Sequence, residues 1–124
     1  MKAAVIKEHG DLDVVNMVDD LPVPEPGRGE VRVRIKAAAL NRLDLFVRRG
    51  WKGLQLDFPH VIGSDGAGII DKLGEGVTNV SEGDHVAIDP SIFPENPTAS
   101  GDYENQIRPL QIVGEHRGGF AAEY

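Results

Sequence analysis

The sequence predicts a mainly β protein, a small and irregular β-barrel with one or two short helices. Glycine and proline interrupt the chain often, with 15 Gly and 8 Pro among 124 residues. Every candidate strand is short, and no helix of about ten residues joins any two of them, as a doubly wound parallel sheet would require. A chain of this length supplies the core of one domain.

Composition narrows the function classes. The chain carries 13 basic and 20 acidic residues, a net charge of −7, and no window gathers the basic residues into a patch. Nucleic acid and anionic membranes are therefore poor candidates as partners. Because the sequence has no cysteine, disulfides, thiolate nucleophiles and cysteine-ligated zinc are excluded within it. No signal peptide opens the sequence, so we expect a cytoplasmic protein.

The first third of the chain alternates strands and connectors. Residues 3–7 and 14–18 are predicted strands, and three prolines at alternate positions make residues 21–29 an extended connector. Strict alternation over residues 31–39 predicts the clearest strand. Its basic side chains, Arg32, Arg34 and Lys36, are expected to lie in solvent on the outer face.

A short helix is predicted over residues 41–49. Asn41 is a suitable N-cap and Gly50 a suitable stop. Leu43, Phe46 and Val47 have the spacing of an apolar helix face. Residues 51–59 then form an irregular connector.

The next segment is rich in glycine. Gly66 and Gly68 match only half of a dinucleotide-binding fingerprint, and no helix follows them. Together with Gly63 they indicate bulges or close backbone approach in a strand. Further strands are predicted at 84–89, 111–113 and 120–124, and residues 90–109 form a polar lobe with little periodicity.

The titratable residues leave alternatives open. The four histidines lack the close spacing that presents two metal ligands together, so each is expected at the surface or in a hydrogen bond. Asp44 and Asp65 are either a catalytic pair that the fold brings together, or a first-turn helix carboxylate and a turn residue.

Five stretches, considered together, carry a family resemblance. Residues 26–44, 59–68, 73–77, 82–86 and 114–124 closely resemble the medium-chain dehydrogenase/reductase superfamily, which includes zinc alcohol dehydrogenases and zinc-free quinone oxidoreductases. The resemblance runs in order over essentially the whole chain. It implies that residues 1–124 are the N-terminal, GroES-like catalytic domain, which forms one wall of the substrate cleft.

The same resemblance implies what the domain works with. A second, Rossmann-type domain would bind NAD or NADP and would begin beyond Tyr124, so we expect a longer protein and no turnover by these 124 residues alone. The expected substrate is a small alcohol, carbonyl compound or quinone, and the intact enzyme is expected to be a homo-oligomer.

Departures from the family pattern concern zinc. Asn41, Ser64 and Asp65 stand where zinc enzymes have a cysteine ligand, a histidine ligand and a glutamate, and the 90–109 lobe lacks the four cysteines of a structural zinc site. No residue is therefore assigned to a metal, and zinc is not expected. Asn41, Ser64 and Asp65, with Asp44 as a hydrogen-bond anchor, are the substrate-pocket candidates. Arg42 matches a basic residue that meets the cofactor diphosphate in some relatives.

Two alternatives remain beside a zinc-free oxidoreductase. One is a metal-dependent alcohol dehydrogenase that uses unusual ligands. The other is a non-enzymatic, GroES-like binding module, since a fold by itself does not fix a function.

Overall fold

The computed structural model describes residues 1–92 and 111–124, and these form a mainly β fold with one α-helix. The helix is α1 (Arg42–Arg49). The strands are β1 (Ala3–Ile6), β2 (Val15–Val18), β3 (Val31–Ala39), β4 (His60–Val61), β5 (Asp65–Leu73), β6 (His85–Ile88), β7 (Ser91–Ile92) and β8 (Gln111–Ile112). The predicted fold class is confirmed.

The strands that the structure describes pair antiparallel in three small sheets. Two sheets have three strands each, in the orders β2-β1-β4 and β3-β5-β6, and β7 pairs with β8. None of the helices that the structure describes is long and apolar enough to cross a membrane. Most of the predicted 90–109 lobe lies outside the described residues.

The last seven residues join the two larger sheets. Ala121 accepts a hydrogen bond from the N–H of Ala4 in β1 (2.7 Å), and Glu123 accepts one from the N–H of Ile35 in β3 (2.9 Å). The predicted strand at 120–124 is wrong, because the segment bonds to both sheets in turn and makes only an isolated bridge, between Ala3 and Ala122. It packs with Ala3 in the core.

Glycines allow strands β3 and β5 to approach closely. A Cβ at Gly68 would lie 2.2 Å from the carbonyl oxygen of Arg34, and one at Gly66 would meet the Phe120 ring at 2.6 Å. The prediction of close backbone approach is confirmed at Gly68, whereas Gly66 makes room for the Phe120 side chain, and both glycines lie within a strand rather than at the start of a helix.

The outer face of β3 differs from the prediction. Arg34 and Lys36 are exposed, but Arg32 is only partly so, because its guanidinium contacts Asp71 at 2.6 Å and Glu25 at 3.2 Å. Carboxylates on β5 and the proline-rich connector thus withdraw this side chain from solvent. Residue 14 also differs from its prediction, since it ends a short 3-10 helix, Leu12–Val14, rather than starting β2.

Candidate functional site

The site is built at the start of α1. Asn41 is the N-cap residue, as predicted, and Asp44 lies in the first turn. The Asp44 carboxylate accepts a hydrogen bond from the N–H of Asn41 (Oδ2, 2.6 Å) and another from the N–H of Gly63 (Oδ1, 3.1 Å). Because Asp44 is only 5% exposed, its charge is compensated by backbone donors rather than by water.

By bonding to both Asn41 and Gly63, Asp44 brings together the side chains of Asn41 and Ser64, which are 23 positions apart in the sequence. The amide nitrogen Nδ2 of Asn41 donates to the hydroxyl Oγ of Ser64 at 3.1 Å. Ser64 is 4% exposed, whereas Asn41 is half-buried and reaches the surface. We refer to these two residues as the Asn41–Ser64 pair.

The other two predicted site residues lie beside this pair. Asp65 is exposed at the start of β5, opposite Ala39. The hydrogen bonds of the Asp44 carboxylate go to backbone N–H groups rather than to Asp65. Arg42 is the first residue of α1, and it is exposed.

Residues 118–124, the C-terminal segment, hydrogen-bond to the backbone that precedes Ser64. The carbonyl oxygen of Gly63 accepts a hydrogen bond from the N–H of Phe120 (2.9 Å), and the N–H of Gly119 donates to Val61 (2.7 Å). A Cβ at Gly119 would lie 2.2 Å from the Gly63 carbonyl oxygen, so this close approach requires glycine. The peptide before Ser64 is thereby held from two sides.

The predicted apolar face of α1 is wrong in part. Phe46 is 51% exposed, and the buried residues of the helix are Asp44, Val47 and Arg48. These three have i, i+3, i+4 spacing, so the buried face has helical periodicity but carries two charged side chains. Apolar periodicity therefore gives no signal for this face, and the sequence pattern does not identify Arg48 as buried.

His60 was expected in a hydrogen bond or at the surface. It is buried, and its Nε2 lies 3.0 Å from the carbonyl oxygen of Gly114. Its partner is 54 positions away in sequence, so no local pattern could have identified the contact.

The donor set around the Asn41–Ser64 pair does not suit a tetrahedral zinc ion. An amide and a hydroxyl replace the thiolate and imidazole donors that zinc prefers, and they bond to each other. Within residues 1–92 and 111–124, no group of three or more His, Cys, Asp or Glu side chains could hold a metal ion. A cavity of about 790 Å³ lies elsewhere, between residues of the β-barrel that include Ile35, Ile70 and Phe120.

The sequence matches a family model and curated relatives over most or all of its length. The family model described as the alcohol dehydrogenase GroES-like domain matches residues 27–124. The starvation-sensing protein RspB of Escherichia coli is 33% identical, over 100% of this chain and 35% of its own length. The quinone oxidoreductase of Rattus norvegicus is 33% identical, over 98% of this chain and 37% of its own.

Solved structures give the same result. A crystal structure of an NAD-dependent alcohol dehydrogenase superposes with a TM-score of 0.83 and 45% sequence identity, over 99% of this chain and 36% of that chain. The chain thus spans a little over a third of the length of each of these three relatives.

Proposed function

Because the chain belongs to the alcohol dehydrogenase GroES-like domain family, within the medium-chain dehydrogenase/reductase superfamily, we propose that it forms one wall of the substrate cleft of a zinc-independent, NAD(P)-dependent oxidoreductase. The observation that carries this proposal is the hydrogen bond between Asn41 and Ser64 at 3.1 Å. The resemblance of the sequence motifs implies that the pair occupies positions where the family's zinc enzymes have metal ligands. The similarity of the chain to a quinone oxidoreductase and to an NAD-dependent alcohol dehydrogenase supports a small carbonyl, quinone or alcohol substrate.

The two members of the pair have different roles, which follow from their burial. Ser64 is buried and accepts one N–H of the Asn41 amide, so it orients that amide. Asn41 is half-buried, and its amide nitrogen carries a second N–H. This N–H donates to the carbonyl oxygen of the substrate, where negative charge develops during reduction.

No step of this reaction passes through zinc, because the side chains present do not suit that ion. A nicotinamide cofactor, when bound, supplies or accepts the hydride. The remaining task of this chain is to orient the substrate and to contribute the exposed Arg42 to the cofactor diphosphate. Asp65 lies at the exposed rim of the same site.

The test uses the full-length protein that carries this domain, with NADH or NADPH and a series of quinones, enones and aldehydes. Asn41→Ala should lower kcat/KM by about 100-fold, since one donor to the developing oxyanion is lost. Ser64→Ala should lower it by about tenfold, because the amide is kept but no longer oriented.

Ser81→Ala is the matched control, since Ser81 is exposed in a turn before β6, and it should leave kcat/KM unchanged. If Asn41→Ala retains the full kcat/KM, or if no nicotinamide-dependent activity accompanies the folded protein, the proposal is wrong.

A further inference from the structure

Arg48 is a buried charge that the site chemistry does not use. It lies in the last turn of α1 and is 5% exposed. Its Nη1 donates to the carbonyl oxygen of Gly10 at 2.9 Å, and the N–H of Gly10 donates back to the carbonyl oxygen of Arg48 at 3.0 Å. This reciprocal pair joins α1 to the loop that follows β1.

The guanidinium is poorly satisfied for a group at this depth. Its Nε is buried and has no hydrogen-bond partner among the described residues. Among the described residues, the carboxylate that lies nearest is that of Asp11, which is 3.9 Å away and 89% exposed. An apolar side chain of similar volume often stabilises a protein as well as such an ion does, so stability alone does not explain a buried arginine here.

A third bond reinforces the same attachment. The ring nitrogen Nδ1 of His9 lies 3.0 Å from the carbonyl oxygen of Val47, which is in the last turn of α1. Gly10 therefore pairs the Arg48 carbonyl at the end of the helix, whereas the His9 ring adds a second contact to the Val47 carbonyl, which also accepts from the N–H of Gly50 at 3.2 Å. The loop is itself fixed, because it follows Val5 and Ile6, which are completely buried in β1.

Helix α1 is thus attached at both ends. Asp44 fixes its first turn to Gly63, and Arg48 fixes its last turn to Gly10. Eight helical residues span about 12 Å and move as a rigid body, so a shift at the last turn reaches Asn41. The Arg48–Gly10 contact therefore bears on the geometry of the Asn41–Ser64 pair.

We propose that Arg48 is a positioning residue, which through its bonds to Gly10 holds Asn41 at the place where its amide meets Ser64 and the substrate. The inference rests on the proposed function, because it takes Asn41 as the group that meets the substrate. Arg48 itself touches neither substrate nor cofactor.

The first experiment separates positioning from stability in the full-length protein. Arg48→Met keeps the length of the side chain but removes its donors. We expect kcat to fall about tenfold, with the KM of the carbonyl substrate and the Tm nearly unchanged. Arg48→Lys should recover part of the loss, because its ammonium can still donate to Gly10. Arg49→Met is the matched control, since Arg49 is the exposed neighbour on the same helix, and it should behave as the wild type.

A double-mutant cycle with Asn41→Ala then tests whether the effect passes through Asn41. In the Asn41→Ala background, Arg48→Met should lower kcat by less than about twofold, because the group that it positions is already absent. Amide hydrogen exchange at Asn41 should rise in Arg48→Met but not in Arg49→Met.

Three results would overturn the inference. If the losses multiply, Arg48 acts independently of Asn41, although the proposed function stands. If Arg48→Met does not fold, the residue is structural. If Asn41→Ala alone has wild-type activity, the proposed function fails as well.

Discussion

Two polar networks tie distant parts of this chain together, and they satisfy their charges in different ways. At the start of α1, the buried carboxylate of Asp44 is bonded by two backbone N–H groups. On the outer face of β3 and β5, the carboxylate of Asp71 lies between the guanidinium groups of Arg32 (2.6 Å) and Arg34 (2.5 Å). Both guanidinium groups also lie against the ring of Tyr124, at 5.3 and 5.6 Å from its centroid.

The Asp44 network fixes the geometry of the candidate site, whereas the Asp71 network links β3 to β5. Backbone donors are fixed by the fold, so the Asp44 network sets a geometry that solvent and salt barely alter. The Asp71 network consists of flexible side chains on the outer face of the sheet, where Arg32 is partly exposed and Arg34 is exposed, and solvent therefore screens these ion pairs in part. The hydrogen bond from Arg32, followed by that from Arg34, holds the pKa of Asp71 below its ordinary value. We therefore expect substitutions in the first network to be more damaging.

The largest effect is expected where the C-terminal segment supports the site. Gly119→Ala should destabilise the protein by about 3 kcal/mol, because the new Cβ would press on backbone that cannot give way. That Cβ would lie 2.2 Å from the carbonyl oxygen of Gly63. Urea unfolding measures the loss.

The neighbouring glycine provides the control for this prediction. A Cβ at Gly118 would meet only Val61, at an ordinary 3.8 Å, so Gly118→Ala should stay close to the wild type. Equal losses for the two variants would contradict the close approach at Gly119.

Asp44→Asn should have the next largest effect. The carboxylate accepts hydrogen bonds from two backbone N–H groups, and in the variant one of these would face the NH2 group of the asparagine. Leaving that buried donor unpaired costs about 2 kcal/mol. Because the network is buried, the loss measured by urea unfolding should be the same at low and high salt. Asp13→Asn, at an exposed position, is the control. A loss that disappears in high salt would mean that Asp44 acts as a surface charge.

The smallest loss of stability is expected for substitutions in the Asp71 network, and its size should depend on pH and salt concentration. Because the pKa of Asp71 is lower in the folded state, its ion pairs stabilise the protein above the ordinary carboxyl pKa of about 3.9. This stabilisation is lost as pH falls through the lower, folded-state value. Asp71→Asn should thus lower the Tm modestly at neutral pH and low salt.

Calorimetric Tm values at several pH and salt conditions test this prediction. The difference between Asp71→Asn and the wild type should shrink in high salt and in acid, whereas the exposed Asp19→Asn should show little difference at any condition. A difference that persists unchanged in acid would show that the ionised carboxylate is not its source.

The parts of this fold that local patterns encode were predictable. Alternation predicted the position of β3, although not which of its side chains are buried, and Asn41 with Gly50 predicted both ends of α1, because helix caps depend on near neighbours. The five sequence stretches also identified the superfamily, which the family model and the relatives confirm. The glycines at 66 and 68 indicated bulges or close approach in a strand, and both occur, since the register of β3 with β5 shifts beside Gly68.

The remaining features depend on tertiary contacts. The segment at 120–124 has strand-like composition, but its hydrogen bonds are shared between two sheets. The burial of Arg48 follows from a loop 38 positions earlier, and that of Arg32 from Asp71, 39 positions later. The structure brings Asn41, Asp44 and Ser64 together. The catalytic or binding roles of these three residues stay predictions, as do those of Arg42 and Asp65.

Metal analysis of the purified full-length protein, combined with activity after chelation, tests the central claim most directly. We expect full NAD(P)-dependent activity with far less than one zinc ion per subunit, because the Asn41–Ser64 pair offers an amide and a hydroxyl that bond to each other. About one tightly bound zinc ion per subunit, lost together with the activity on chelation, would contradict it.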